Sequence, residues 1–175
     1  MAVKSKSATQ IYFNKDHDMV RKAVREFVDK EINPFMDEWE EKGEAPLHDL
    51  FKKMGNLGFL GIRYDTKYGG QGMDYWYDTV CLEELGRIHG SGIPVAIAVQ
   101  THMATPAIYE YGSEYLKETY LKPAIAGDMV AAIEGVAAFA KVRAEVVTDF
   151  IGGGVFRDEV QGPAVSVLAV PCPNG

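Results

Sequence analysis

The chain has 175 residues, 47% of them hydrophobic and 25% charged, with a formal net charge of −7. That is one domain's length with enough apolar material for a core. An acidic chain without a basic run lacks the clustered Lys and Arg that hold nucleic acid, and it repels anionic lipid.

The opening, MAVKSKSATQIYFNK, carries Lys and Ser but no arginine and no apolar run. It therefore reads as neither a secretory signal nor a transit peptide, and residues 1–12 are taken as an N-terminal extension. From Val20 the apolar residues Val24, Phe27, Val28, Ile32, Phe35 and Trp39 recur at helical gaps. Asn14 is the predicted N-cap, with Asp16 and Asp18 in the first turn. Pro34 breaks the stripe, and Asn33 before it is the predicted cap of a second helix ending near Gly43.

Pro46 opens a third helix with Leu47, Leu50, Phe51 and Met54 inward, and Gly58 stands past its end. The stretch GFLGIRYDTKYGGQGM reads as an irregular loop. Asp74 caps the next helix, whose inner face is Tyr77, Val80, Cys81, Leu85 and Ile88. After a break at His89–Gly92, an apolar run carries Pro94 in its first turn, and Pro106 divides it near Met103. Ser113 starts a short helix that stops before Pro123, and Gly127 ends a brief turn. The expected fold is all-α: an antiparallel helical bundle of about six helices, with an atypical C-terminal tail. In that tail Glu134–Phe150 reads as a continuing helix and Ala164–Val170 as a short strand.

The chemistry-bearing residues are sparse. Cys81 and Cys172 stand far apart, with no C-x-x-C neighbour; Cys81 falls in an apolar pattern and is expected to be a buried, inert thiol. Gly69, Gly70 and Gly72 resemble a phosphate cradle only in composition. No Lys follows at the P-loop offset and no strand precedes, so a structural turn is the favoured alternative. Glu83–Glu84 and Glu40–Glu41 are adjacent pairs that point apart on a helix, and are expected to be solvated or in ordinary ion pairs. His17, His48, His89 and His102 have no metal-ligand spacing, and capping or exposure is expected for His17 and His48. Gln100, Thr101, His102, Met103 and Thr105 interrupt an apolar helix with small and polar groups. That pattern suits a pocket wall, or else a helix terminus packed in the core.

Taken together, YGGQGMDYWYDTVCLEELGR, the later YGSEYLKETYLKPAIAGD, and VRKAVREFVDKEINPFMDEWEEKGEAP with FKKMGNLGFLGI resemble the N-terminal domain of the acyl-CoA dehydrogenases over residues 13–133. The resemblance implies an N-terminal helical domain that precedes a middle β-barrel and a C-terminal helical bundle. It implies an FAD-dependent oxidation of acyl-CoA thioesters to trans-2-enoyl thioesters, with electrons leaving to an electron-transfer flavoprotein. It places Gln100 to Thr105 at the wall of the acyl pocket and makes the Tyr68–Gly70 turn structural. The family's T-E-P-x-A-G-S-D type sequence does not follow Ile133, so residues 134–175 read as a divergent tail in place of the barrel. The family's catalytic glutamate has no counterpart either. The main FAD-binding elements are expected to lie outside these residues, which leaves a non-catalytic helical interaction module or an inactive truncated variant as the alternative. A homo-oligomer is a further expectation. The longest apolar stretch, Gly92 to Val99, is far short of the roughly 18 residues a bilayer span needs. A cytoplasmic protein is the direct expectation, and the mitochondrial matrix is the alternative the resemblance implies.

Overall fold

The computed structural model describes residues 12–135 and 165–171. Helix α1, Lys15–Phe27, begins as the sequence predicts: the Asn14 side chain accepts from the backbone N–H groups of Asp16 and His17. The His17 ring returns the favour, its Nδ1 accepting from Asn14 N at 3.1 Å. That histidine is buried and stacks on Tyr77 with centroids 4.0 Å apart, so it caps without being exposed.

α1 continues through a wide turn at Val28–Ile32 and a tight one at Asn33–Phe35 into α2, Met36–Lys42. Asn33 does not cap α2. Its amide instead donates to Arg87 O at 3.2 Å and accepts from His89 N at 3.1 Å, stitching the bend to the break after a distant helix. Helix α3 spans Leu47–Asn56 and α4 spans Tyr75–Leu85, with Asp74 accepting from Trp76 N at its start.

Helices α5, Gly92–Ala98, and α6, Thr105–Tyr111, are joined by a wide turn at Val99–Ala104, which is the division Pro106 predicts. After Ser113, α7 (Glu114–Leu116) runs through another wide turn into α8, Lys122–Ile125. The helix does not stop before Pro123. The proline sits in the first turn of α8, where a missing backbone donor does no harm.

The helical reading fails at one place before Ile133. Residues Met129–Gly135 form strand β1, paired antiparallel with β2, Val165–Pro171, with Ala131 opposite Ala169. Glu134 and Gly135, expected to open a helix, are therefore extended; the rest of that predicted helix lies outside the described residues. β2 coincides with the predicted strand, shifted by one residue.

The main core joins Val24, Phe27, Val28 and Ile32 of the first helix to Leu50, Phe51 and Met54 of α3. Cys81 and Leu85 of α4 and Ile93 and Ile97 of α5 complete it. Burial pushes the Cys81 thiol up to about 12, so it stays protonated as an apolar filler. A second, smaller cluster gathers Tyr64, Tyr68, Leu121 and Ile125.

One contact controls where β1 starts. A Cβ on Gly55 would lie 2.3 Å from the Ala126 carbonyl carbon and oxygen, and one on Gly127 would lie 2.2 Å from Phe51 O. Two glycines thus let α3 and the turn after α8 meet backbone to backbone.

The face between α1 and α4 carries a buried ion cluster. The Glu84 side chain is 3% exposed and takes two bonds from Arg25, at 2.8 Å each, plus one from Arg21 at 3.1 Å. Arg87 approaches to 3.6 Å, and Arg21 also pairs with Glu83 at 2.6 Å. Glu84 is in an ion pair as expected, but it is not solvated: it follows Val80 and Cys81 by four and three residues, which puts it on the inner face. The Arg25 guanidinium, helped by Arg21, holds its carboxyl below the ordinary range.

Two outcomes are expected. Gly55→Ala should cost on the order of 2–3 kcal/mol in urea unfolding, as an overpacked backbone contact does. A depressed folded pKa means that Glu84's contribution is present above its unfolded pKa, about 4.3, and is lost as pH falls through the folded value. Thermal melts should accordingly fall off below about pH 4.3, and Glu84→Gln should flatten that limb while lowering stability near neutrality by about 2 kcal/mol, the worth of a charged hydrogen bond to partly exposed arginines.

Candidate functional site

The wide turn at Val99–Ala104 is the most polar part of an apolar helix pair, and Gln100 anchors it. Its side chain is fully buried. Nε2 donates to Ala124 O at 3.0 Å and to Met129 O at 3.3 Å, and Oε1 accepts from Ala131 N at 2.9 Å. All three partners fit one orientation of the amide; the flipped amide would face carbonyl with carbonyl. The bonds to Met129 and Ala131 are those a neighbouring strand would make, so the side chain stands in for a peptide group along β1.

Thr105 closes the turn. Its hydroxyl donates to Gln100 O at 2.6 Å and lies 2.7 Å from the Tyr64 hydroxyl, which donates to it. Burial raises the Tyr64 phenol to about 12, so it remains a donor across the physiological range.

Ala104 is also buried, Thr101 and His102 are half-buried, and Met103 faces outward. Thr101 Oγ1 donates to Ile97 O at 2.8 Å and lies 2.7 Å from His102 Nδ1. His102 Nε2 is 3.1 Å from Asp78 Oδ2 on α4, and Arg63 Nε is 3.1 Å from the same oxygen. Met103 is 52% exposed. Val95, eight residues earlier on α5, is 59% exposed.

The five residues singled out from the sequence thus share a turn but not a face. Gln100 and Thr105 point into the fold, Thr101 and His102 are half-buried, and Met103 is open. Sequence reasoning missed Asp78, Arg63 and Val95. Asp78 precedes Cys81 by three residues and Leu85 by seven, a weak sign of its burial; Arg63 in an irregular loop gives none.

The glycine cluster is a structural turn. Gly69 and Gly72 have φ of +90° and +62°. Gly69 N, Gly70 N, Gln71 N and Gly72 N donate to Thr66 O, Asp65 O, Gly61 O and Tyr64 O, so none of these groups remains for a phosphate. Among the described residues no group of three His, Cys, Asp or Glu side chains is placed to hold a metal. A flavin fares no better: the buried polar atoms near the turn, on Gln100, Thr105 and Tyr64, are already bonded to each other or to backbone. Two open surface grooves, one along Lys42–Asp49 and one between Trp39, Leu47 and Ile93, lie apart from this turn.

A bent first helix, a capped glycine turn, and a helix pair whose polar turn braces an emerging strand define a known kind of domain. The family model described as the acyl-CoA dehydrogenase N-terminal domain matches residues 14–128, and the chain belongs to that family. A probable acyl-CoA dehydrogenase of Bacillus subtilis is 39% identical over 114 residues, covering 65% of this chain and 29% of the relative. The CarC subunit of the caffeyl-CoA reductase–Etf complex of Acetobacterium woodii is 36% identical over 118 residues, or 67% of this chain and 31% of that one. Among solved structures, a glutaryl-CoA dehydrogenase of Mycobacterium smegmatis in complex with FADH2 superposes with a TM-score of 0.64 at 32% identity, covering 70% of this chain and 31% of that one. The chain spans about three tenths of the length of the relatives it matches.

Gln100→Leu should leave Ala131 N–H and Met129 O without their partner, while Ala124 O keeps the bond from Gly127 N at 3.2 Å. A loss of roughly 2–3 kcal/mol is expected, together with fast hydrogen exchange at the Ala131 amide while amides in α1 stay protected.

Proposed function

We propose that this chain supplies the helical wall against which an FAD-dependent acyl-CoA dehydrogenase seats the acyl part of its thioester substrate. The wall is the turn of Gln100, Thr101, His102, Met103 and Thr105, extended along α5 by Val95. Gln100 and Thr105 hold the turn rigid from within, and Met103, His102 and Val95 form its outer surface. The observation that carries this reading is the braced helix break at Gln100, with Val95 before it and Met103 within it both exposed, in a domain of this family. Apolar side chains open beside a few placed polar groups suit the wall of a small-molecule site.

The reaction of such an enzyme removes a proton and a hydride from adjacent carbons of the acyl chain, and the flavin accepts the hydride when bound. The described residues offer it orientation alone: they hold an apolar surface in place, which aligns the reacting carbons and excludes water. The base and the flavin-holding groups belong to other parts of the fold. The solved relative with FADH2 and the relative named for its Etf complex support FAD as cofactor and an electron-transfer flavoprotein as electron acceptor. No described helix is long and apolar enough to cross a membrane. The cytoplasm is the proposed location, with the mitochondrial matrix as the alternative.

A second reading rests on the same exposed side chains: a non-catalytic helical module whose open Val95 and Met103 join a further subunit, a second copy included. The two readings part in solution. Purified chain should be colourless and take up no added FAD, yet the Met103 methyl resonance should shift on adding an acyl-CoA. A chain that holds stoichiometric flavin unaided would overturn the division of labour proposed here. A methyl that ignores acyl-CoA but broadens as size-exclusion chromatography shows dimers would decide for the module.

A further inference from the structure

The end of α2 holds negative charge that nothing nearby offsets. Residues 37–44 carry five carboxylates, those of Asp37, Glu38, Glu40, Glu41 and Glu44, against the single cation of Lys42. Lys42 turns back to Glu38 at 2.5 Å. Glu40, Glu41 and Glu44 are exposed, and among the described residues no cation forms an ion pair with them. They stand around the C-terminal cap at Gly43, where a helix has its negative pole and favours cations instead.

Beside this charge lies the groove between α2, the start of α3 and the start of α5. Met36 and Ile93 are its buried floor, Trp39 and Leu47 its half-buried sides, and Glu40 and Glu44 its rim. Trp39 is steadied by Phe35, whose ring stacks on it with centroids 5.6 Å apart. The Glu40 carboxylate reaches the chain just before α5: a Cβ on Gly90 would lie 2.6 Å from its Oε1. Past Glu44 and Leu47 the trough continues along the first turn of α3 to Asp49, which adds a further carboxylate.

An apolar trough with an acidic rim selects its occupant. A purely aliphatic occupant would strip water from the rim carboxylates and return nothing. A second copy of the same face would bring like charge against like charge. A lysine or arginine meets both demands, because its methylene stem covers apolar surface while its head stays at the rim, and an indole face attracts the cation. The carboxylates at 40, 44 and 49 are spread along the trough, so the fitting partner repeats its positive charges along a chain.

We propose that this groove docks a basic segment of another polypeptide, with lysines or arginines at Glu40 and Glu44 and an aliphatic side chain between them on Trp39, Leu47 and Ile93. None of these residues belongs to the acyl wall, so the proposal stands apart from that reading.

The test titrates the isotope-labelled full chain with three blocked peptides and with spermine. The first peptide, KKLKKLLKKL, spaces its leucines as a helix lying in a groove would; KKAKKAAKKA lacks them, and EELEELLEEL reverses the charge. The reporter is the indole N–H of Trp39, told from the other tryptophan of the chain by a Trp76→Phe variant. KKLKKLLKKL is expected to shift that signal and to bind about tenfold more tightly than the alanine form, as partial burial of leucine predicts. EELEELLEEL should leave it unmoved. Glu40→Gln with Glu44→Gln should weaken KKLKKLLKKL about fivefold, as the loss of two surface ion pairs does, and high salt should erase most of that difference. Both glutamates are exposed, and the comparison of peptides on the wild type stands by itself if the double variant fails to fold. Equal binding of the alanine form would reduce the site to diffuse attraction by an acidic surface and overturn the proposal. A Trp39 signal moved as far by spermine would make the occupant a small polyamine and overturn it too. A signal that no probe moves would leave no docking site here.

Discussion

A single buried amide ties the three late parts of this fold together. Gln100 stands at the break between α5 and α6, and its side chain reaches both the end of α8 and the first residues of β1. An unpaired polar group at that depth is expensive, so the amide must be fully bonded or the turn cannot sit where it does. Full bonding in turn demands that the carbonyls of Ala124 and Met129 and the amide of Ala131 come within reach together. The glycine contact of Gly55 with Ala126, and of Gly127 with Phe51, brings the chain close enough for this. The outward face of the turn inherits its rigidity from these inward bonds.

Charge does comparable work on the opposite side. Glu84 gathers Arg21 and Arg25 of α1, with Arg87 near, and so fastens α4 to the first helix. Asp78, two turns earlier on α4, gathers Arg63 and His102. One short helix thus carries two buried carboxylates, each neutralised by cations from elsewhere in the sequence. Buried carboxylates are tolerated only under such pairing, and each makes the placement of α4 dependent on a different neighbour.

Most of the helices could be read from the sequence because their signals are local. Asn14 and Asp74 cap their helices through side-chain oxygens two or three residues from the amides they accept from, and Pro106 marks the division of α5 from α6. The turn at Gly69–Gly72 was legible for the same reason, from what did not surround it. What escaped reading was set by distant partners. Asn33 looked like a cap but bonds across the fold to Arg87 and His89. Pro123 looked like a stop but sits where a helix tolerates it. β1 carries nothing local that marks it as a strand, and Ala131, Ala132 and Glu134 suit a helix equally well; pairing with β2 and the bonds from Gln100 decide for the strand. At the candidate site the sequence located the turn, but no periodicity divides Gln100 and Thr105, which face in, from Met103, which faces out, across a wide turn that shifts the helical phase.

The same amide sets which peptide groups of the two-stranded ribbon turn inward and which turn out. Because Met129 O and Ala131 N turn toward Gln100, it is Val130 and Ala132 whose peptide groups turn toward Val170 and Leu168. Pro171, opposite Met129, then falls where β1 asks for no donor, and its missing N–H goes unfelt. The margin of β1 at this end is sealed by a side chain of the same polypeptide. Pro171 turns its nitrogen to the outer margin of β2, which is therefore one donor short, so at this end both margins of the ribbon are closed: one by a glutamine side chain, the other by a proline ring.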